Sequence, residues 1–185
     1  QYYKDLEEMV KELYNHPSIV LWTPFNEGWG QFDASVATAM LRKWDETRLI
    51  NEACGWFDQG GGNLYSIHNY RYALKIKPQK DRVVALTEYG GYAFPVKEHL
   101  WSRKEFGYKF FSSKEEVTAA YEKLWERDIF PNVEKGLSAT IYTQTTDIEE
   151  EINGLMTYDR KVDKLRVDTL RKLSQRLMEI YLACF

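Results

Sequence analysis

Residues 16–31 read HPSIVLWTPFNEGWGQ, and the fold turns on the four apolar residues Ile19, Val20, Leu21 and Trp22. An unbroken apolar run of this length predicts a strand buried on both faces, as in a parallel sheet, where an alternating pattern would predict one wet face. Upstream, Leu6, Met9, Val10, Leu13 and Tyr14 recur at helical spacing until Asn15, His16 and Pro17 stop the pattern. The order is therefore helix, then strand. Downstream the order repeats: Asp33 stands where it can cap a helix carrying Val36, Ala37, Met40, Leu41 and Trp44, and residues 49–55 read as the next strand.

Further out, residues 64–70 and 83–89 read as two more strands, the second bounded by Arg82 and by Gly90 and Gly91. Ser113 and Glu116 form a possible capping box ahead of Val117, Ala120, Tyr121 and Leu124. Residues 137–145 give a fifth strand. Leu170, Leu173, Leu177 and Ile180 mark a closing helix, with Lys161, Lys164, Arg166, Arg171 and Arg176 as its polar face. Strands alternating with helices predict an α/β fold with a parallel sheet, either open and doubly wound or closed as a barrel. One interval does not fit. Residues 56–63 are fewer than the dozen or so that a parallel crossover takes, so one of the flanking strands is misplaced or irregular.

The chain has 185 residues, 44% of them hydrophobic, which suits a single domain spanning 1–185. Its formal net charge is -3, with acidic and basic residues interspersed, a balance that offers no surface for nucleic acid. No apolar run is long enough for a membrane span, and the first residues form an amphipathic helix instead of a signal peptide, so a soluble piece of unassigned compartment is expected. The two cysteines, Cys54 and Cys184, suggest neither a disulfide framework nor a zinc site. Thirteen tyrosines and six tryptophans, many in Gly-, Asn- and Asp-containing segments, suit the flat faces of sugar rings, although a large core would use them too.

Asn26 and Glu27 follow the first strand, where α/β barrels hold their catalytic groups. A carboxyl there, flanked by Trp22, Phe25 and Trp29, is partly withdrawn from water, which favours the proton-carrying form a general acid needs. The plain alternative is a solvated loop glutamate. In RVVALTEYGGYAF, Glu88 ends a second apolar strand just before Gly90 and Gly91. For Glu88 the alternative is an ion pair with a nearby Lys or Arg. Strands of a parallel barrel end at one face, so Glu27 and Glu88 are expected to converge, and two carboxyls about 5 Å apart are what double-displacement glycoside cleavage uses.

HPSIVLWTPFNEGWGQ resembles the acid/base segment of glycoside hydrolase family 2, the family of β-galactosidases, β-glucuronidases and β-mannosidases. LTEYGG resembles its nucleophile segment, and YTQTTDIEEEINGLMTYDRKVDK its last barrel strand and following loop. The resemblance implies the C-terminal half of a catalytic TIM barrel, about strands four to eight, with strands one to three absent from this chain. It implies that Glu27 is the acid/base, Glu88 the nucleophile and Asn26 a ligand of the sugar 2-hydroxyl. SIHNY matches a His-x-Tyr-type strand end in the family, which makes His68 and Tyr70 pocket residues, with Tyr70 a hydrogen-bond donor to Glu88; a structural histidine is the alternative for His68. Trp56 and Asp58 are possible sugar contacts. Where many members end the last strand with tryptophan, this chain has Tyr142, Thr143, Gln144 and Thr145, so the sugar is not carried over.

The function that follows is retaining hydrolysis of terminal β-glycosides, β-galactosides first among them, with a glycoside substrate and no cofactor. A half barrel would expose strand edges and part of an apolar interior, so self-association and little activity of the isolated chain are expected. Two rivals remain: a non-catalytic carbohydrate-binding or scaffolding remnant, and a metal-dependent barrel hydrolase, for which no His pair stands at ligand spacing. Residues 59–63, rich in glycine, read as a flexible loop in place of a phosphate cradle. Asp147, Glu149, Glu150 and Glu151 read as solvated loop surface in place of a cation site.

Overall fold

The amphipathic repeat at the start of the chain forms helix α1, Tyr2–Leu13. A computed structural model describes residues 1–184. The chain divides into one unit made of residues 1–68 and 78–87, and a second made of residues 69–77 and those from 88 onward. Among the described residues no helix is long and apolar enough to cross a membrane.

In the first unit α1 is followed by strand β1 (Leu21–Trp22), helix α2 (Ala34–Trp44), strand β2 (Leu49–Ile50) and strand β3 (Leu64–Asn69). Strand β1 pairs with β2 in parallel, Leu21 opposite Leu49 and Trp22 opposite Ile50. Leu6 and Val10 of α1 pack with Leu41 of α2 and with Trp22, Phe25 and Ile50, and fully buried Ala34 and Ala37 keep that helix close. Burying side chains of this size stabilises by roughly 1.5–3 kcal/mol each. Tyr2 stacks on Phe25 with ring centroids 5.2 Å apart, and Phe32 closes the cluster edge-on.

The strands at the amino end are shorter than the sequence predicts. Ile19 and Val20 precede β1, and β2 stops at Ile50, so residues 51–63 connect it to β3 and the interval that seemed too short is relieved. That connection is tied down. The buried Glu52 carboxylate accepts from the Thr38 hydroxyl at 3.0 Å and from the Gly61 backbone N–H at 3.0 Å, which anchors the glycine-rich segment expected to be a free loop. Asp33 does precede α2, but in a left-handed conformation with no side-chain cap; its backbone carbonyl accepts from Val36 and Ala37 instead.

Strand β4 (Val83–Gly90) has residues in both units, and the later strand β7 (Leu137–Thr143) lies in the second. In the second unit the two-residue strands β5 (Tyr92–Ala93) and β6 (Lys109–Phe110) pair in parallel. Neither carries enough residues to show a period. Helix α3 (Lys114–Leu124) starts as the capping signal predicts, the Ser113 hydroxyl accepting from Glu116 N–H at 3.2 Å, while the Glu116 carboxylate accepts from Ser112 and not from the cap residue itself. Residues Trp125–Ile129 widen into a π turn before the short helix α4 (Phe130–Val133). Pro131 has no N–H to offer the carbonyl four residues back, which removes the constraint that keeps a helix at α pitch.

Helix α5 (Val167–Cys184) closes the chain. Two expectations fail here. Lys161, Lys164 and Arg166 precede α5 and are not its polar face, and Lys164 is fully buried, with its ammonium donating to Asp147 at 2.7 and 3.0 Å and to the Ile152 carbonyl at 2.8 Å. Asp147 is therefore not part of a solvated acidic cluster. Burial works against charge on both partners, raising Asp147 and lowering Lys164, and their contact only partly offsets it.

A second buried ion holds the first unit. Asp45 accepts from the Trp22 indole at 2.8 Å, from Thr47 N–H and hydroxyl at 2.9 and 2.6 Å, and from Arg48 at 2.7 Å. Arg48 also donates to the carbonyls of Tyr14, His16 and Ile19, so the pair fastens the end of α1 and the entry to β1 onto β2. Burial pushes the Asp45 carboxyl up, but the hydrogen bonds outweigh it and hold the group well below the usual carboxylate range. Asp45→Ala should cost about 3–5 kcal/mol in urea unfolding at neutral pH, because it leaves the Arg48 charge and the Trp22 donor without their acceptor. Since the folded carboxyl titrates low, its contribution is complete above about pH 4 and fades as pH falls toward the lowered value. The gap between wild type and variant should narrow in that direction only.

Candidate active site

The parallel pairing that begins at Leu21 and Leu49 reaches Glu27. Asn26 bridges Cys54 in parallel, Cys54 N–H donates to the Phe25 carbonyl at 3.0 Å, and Glu27 N–H donates to the Cys54 carbonyl at 2.9 Å. Held this way, Glu27 takes a left-handed backbone conformation with φ 51°. Its carboxylate meets the imidazole of His68 from β3, with Oε1 and Nδ1 2.7 Å apart. The other ring nitrogen, Nε2, lies 3.1 Å from the Cys54 sulfur. Gly55 explains why the ring fits: a Cβ there would stand 2.4 Å from the imidazole, and its φ of +85° suits glycine alone.

Trp22 and Phe25 are buried beside this segment, as the sequence suggests, but Trp29 is 80% exposed and forms no wall over Glu27. Asn26 is exposed at its side chain and held through its backbone. Trp56 is exposed. Asp58 accepts from Arg82 through both oxygens, at 2.6 and 2.8 Å, so that guanidinium would have to share it with any sugar. The ion pair is the larger cause holding the Asp58 carboxyl below its ordinary value.

The second unit holds Glu88, on β4. Tyr70 lies one position past β3, and its hydroxyl donates to Glu88 Oε2 at 2.5 Å, the contact expected from the sequence. The Tyr70 oxygen is also 3.1 Å from the Thr143 hydroxyl, at the end of β7. Since the phenol has one proton and gives it to Glu88, the threonine is the donor in that second bond. Burial first, and then the Glu88 charge, push the Tyr70 phenol far above its ordinary value, so it stays a donor at every working pH.

Sequence reasoning missed Tyr108. Its ring stacks on Tyr70 with centroids 3.7 Å apart and planes 3° from parallel, and its N–H donates to the Gly91 carbonyl at 3.0 Å. Gly91 has φ +60°, and a Cβ on it would come within 2.4 Å of the Tyr108 ring and 3.1 Å of Tyr70. At Gly90 the space is filled by Tyr142, so the pair of glycines read as a turn also makes room for two aromatic rings. The only sequence signal for Tyr108 is its glycine neighbour, Gly107, in an aromatic stretch. Cys54 likewise carries no signal in the sequence, where a lone cysteine at neither disulfide nor zinc spacing has no visible partner.

Chemically, each glutamate is an oxygen nucleophile or proton carrier with a short hydrogen bond to a side chain from the β3 segment. His68 can carry a proton to or from Glu27, and Tyr70 can only donate to Glu88.

Residues 1–76 match the family model described as glycosyl hydrolases family 2, TIM barrel domain. A search of curated protein sequences finds no match. Among solved structures, a β-glucuronidase of an uncultured Clostridium species is similar over 96% of this chain and 35% of its own, at 16% identity and TM-score 0.62. A family 2 β-galacturonidase of Eisenbergiella tayi, bound to galacturonate, matches over 96% of this chain and 36% of its own, at 14% identity and TM-score 0.66. A putative β-galactosidase of Bacteroides fragilis covers 94% of this chain and 30% of its own, at 15% identity and TM-score 0.61. The chain thus spans about a third of the length of these structures, and identities this low establish shared fold alone. The first 76 residues thus match the TIM barrel domain of glycoside hydrolase family 2, and the chain shares an α/β fold with these structures over nearly its whole length.

Proposed function

We propose that the chain carries the catalytic carboxylates of a retaining β-glycosidase, with Glu88 as nucleophile and Glu27 as general acid/base. The observation that supports this most is the Tyr70–Glu88 hydrogen bond at 2.5 Å. A phenol that donates to one carboxylate oxygen holds the rotamer of Glu88 while leaving it the negative charge that attack on the anomeric carbon needs. On the other side of the reaction, Glu27 protonates the departing glycosidic oxygen and then takes a proton from the attacking water, with His68 orienting it through Oε1. Asn26 is assigned to the sugar 2-hydroxyl, and Trp56 and Asp58 to outer contacts. No cofactor enters this chemistry.

The family name covers several sugars, so aryl β-galactosides are assayed first, with β-glucuronides and β-galacturonides beside them. The full-length protein is incubated with the matching slow-turnover 2-fluoro glycoside and digested for peptide mass mapping. A sugar adduct on the peptide containing Glu88 is expected; turnover with an adduct elsewhere, or sugar binding with neither turnover nor adduct, would refute the assignment and the latter would favour a binding remnant. Glu27→Gln should slow substrates with poor leaving groups by about 100-fold or more, while activated aryl glycosides lose less in the first step. Equal losses for both leaving-group classes would remove Glu27 from the acid role. Tyr70→Phe deletes a hydrogen bond to a charged group, about 1.5–3 kcal/mol, and should lower kcat about 10- to 100-fold with KM little changed.

A further inference from the structure

Glycoside cleavage makes no use of Cys54, yet its surroundings are those of a worked thiol. The sulfur lies 3.1 Å from His68 Nε2, 3.4 Å from the Thr87 hydroxyl and 3.6 Å from the Ser66 hydroxyl, and Ser66 and Thr87 are hydrogen-bonded to each other. On its far side the imidazole meets Glu27 at 2.7 Å. Sulfur, imidazole and carboxylate therefore stand in line, each presented by a different segment: Cys54 after β2, His68 on β3 and Glu27 after β1. The alignment is held by the Cys54–Glu27 and Phe25–Cys54 backbone bonds, and by the Gly55 gap that seats the ring.

Such an order has a chemical meaning. With Glu27 ionised, the proton on Nδ1 points to the carboxylate and the lone pair of Nε2 points to the thiol, which is the tautomer that can take a proton from sulfur. The imidazolium formed is stabilised by Glu27, and the thiolate by the imidazolium and by the Ser66 hydroxyl that donates to it. Burial pushes the thiol up, and its hydrogen-bonded contacts with His68, Thr87 and Ser66 outweigh it, leaving Cys54 below its ordinary value. The residue is 8% exposed, so only small reagents reach it.

We propose that Cys54 is a nucleophilic thiol, activated by His68 with Glu27 as the orienting carboxylate, and that it is a covalent modification site for small α,β-unsaturated carbonyl compounds. His68 Nε2 takes the thiol proton as sulfur attacks the β-carbon. A sulfur–carbon bond forms, the π pair of the double bond moves to the α-carbon, and that carbon receives the proton back from the imidazolium; nothing leaves and nothing is oxidised. This chemistry stands whether or not Glu27 also serves glycoside cleavage.

The test is the rate of acrylamide addition to the native protein at neutral pH, followed by peptide mapping. Cys184, exposed near the end of α5, serves as internal control. Cys54 should be labelled in the folded protein, and His68→Gln should slow its labelling at least tenfold while Cys184 is unchanged. Should that variant lose its fold, judged by circular dichroism, Glu27→Gln carries the test and should slow Cys54 severalfold with Cys184 unaffected. Absence of Cys54 labelling in the folded protein, or equal Cys54 rates in wild type and a folded variant, would overturn the proposal and leave the three groups as a structural polar contact.

Discussion

The parallel register between β1 and β2 is the constraint from which the first unit's chemistry follows. Leu21 stands opposite Leu49 and Asn26 opposite Cys54, with no bulge between, so the same pairing that buries Trp22 also delivers Glu27 beside Cys54. A slip of one residue would turn every side chain of the segment to the other face. What prevents the slip is not the strands themselves, which are two residues each, but the buried Asp45 and Arg48, which bind both the Trp22 indole and the carbonyls that lead into β1. A charge pair far from Glu27 in sequence thus fixes where its carboxylate stands.

The second unit reaches a comparable result by packing. Tyr70 is pressed between Glu88 on its hydroxyl and Tyr108 on its face, and the glycines at 90 and 91 leave the volume that Tyr142 and Tyr108 occupy. Here the aromatic residues that were counted as possible sugar platforms are spent on holding one phenol. Tyr142 meets Tyr121 and Tyr89 edge-to-face in a group of their own, so a tyrosine-rich composition serves position as well as contact.

Glu27 and Glu88 were legible because their signal is local, an apolar run, then a carboxyl, then glycine, although Glu27 stands five residues past β1 and Glu88 lies within β4. The sequence also made the Tyr70–Glu88 contact legible through resemblance. What it could not show depends on distant partners. Lys164 looks like any surface lysine until Asp147 and the Ile152 carbonyl close around it, and Cys54 looks inert until His68 arrives from another strand. Strands of two residues and a π turn have no periodicity to detect, and the capping position at Asp33 was right while its bond was not, since a left-handed backbone turns the carboxylate away from the N–H groups it would cap.

His68 and Tyr70 are two positions apart and differ in what they can do for a glutamate. An imidazole has a nitrogen on each side, so it can pass a proton through itself, from one neighbour to the other; a phenol whose ionisation is pushed far up can give a hydrogen bond and nothing more. A carboxyl that must cycle between acid and base needs the first kind of partner, and a carboxyl that must remain a free nucleophile needs the second. The imidazole on Glu27 and the phenol on Glu88 are the contacts that the proposed division of labour would use. On the proposed roles, exchanging the two partners would give each glutamate the wrong capability, so the proposal leans on these contacts more than on where either glutamate falls along its strand.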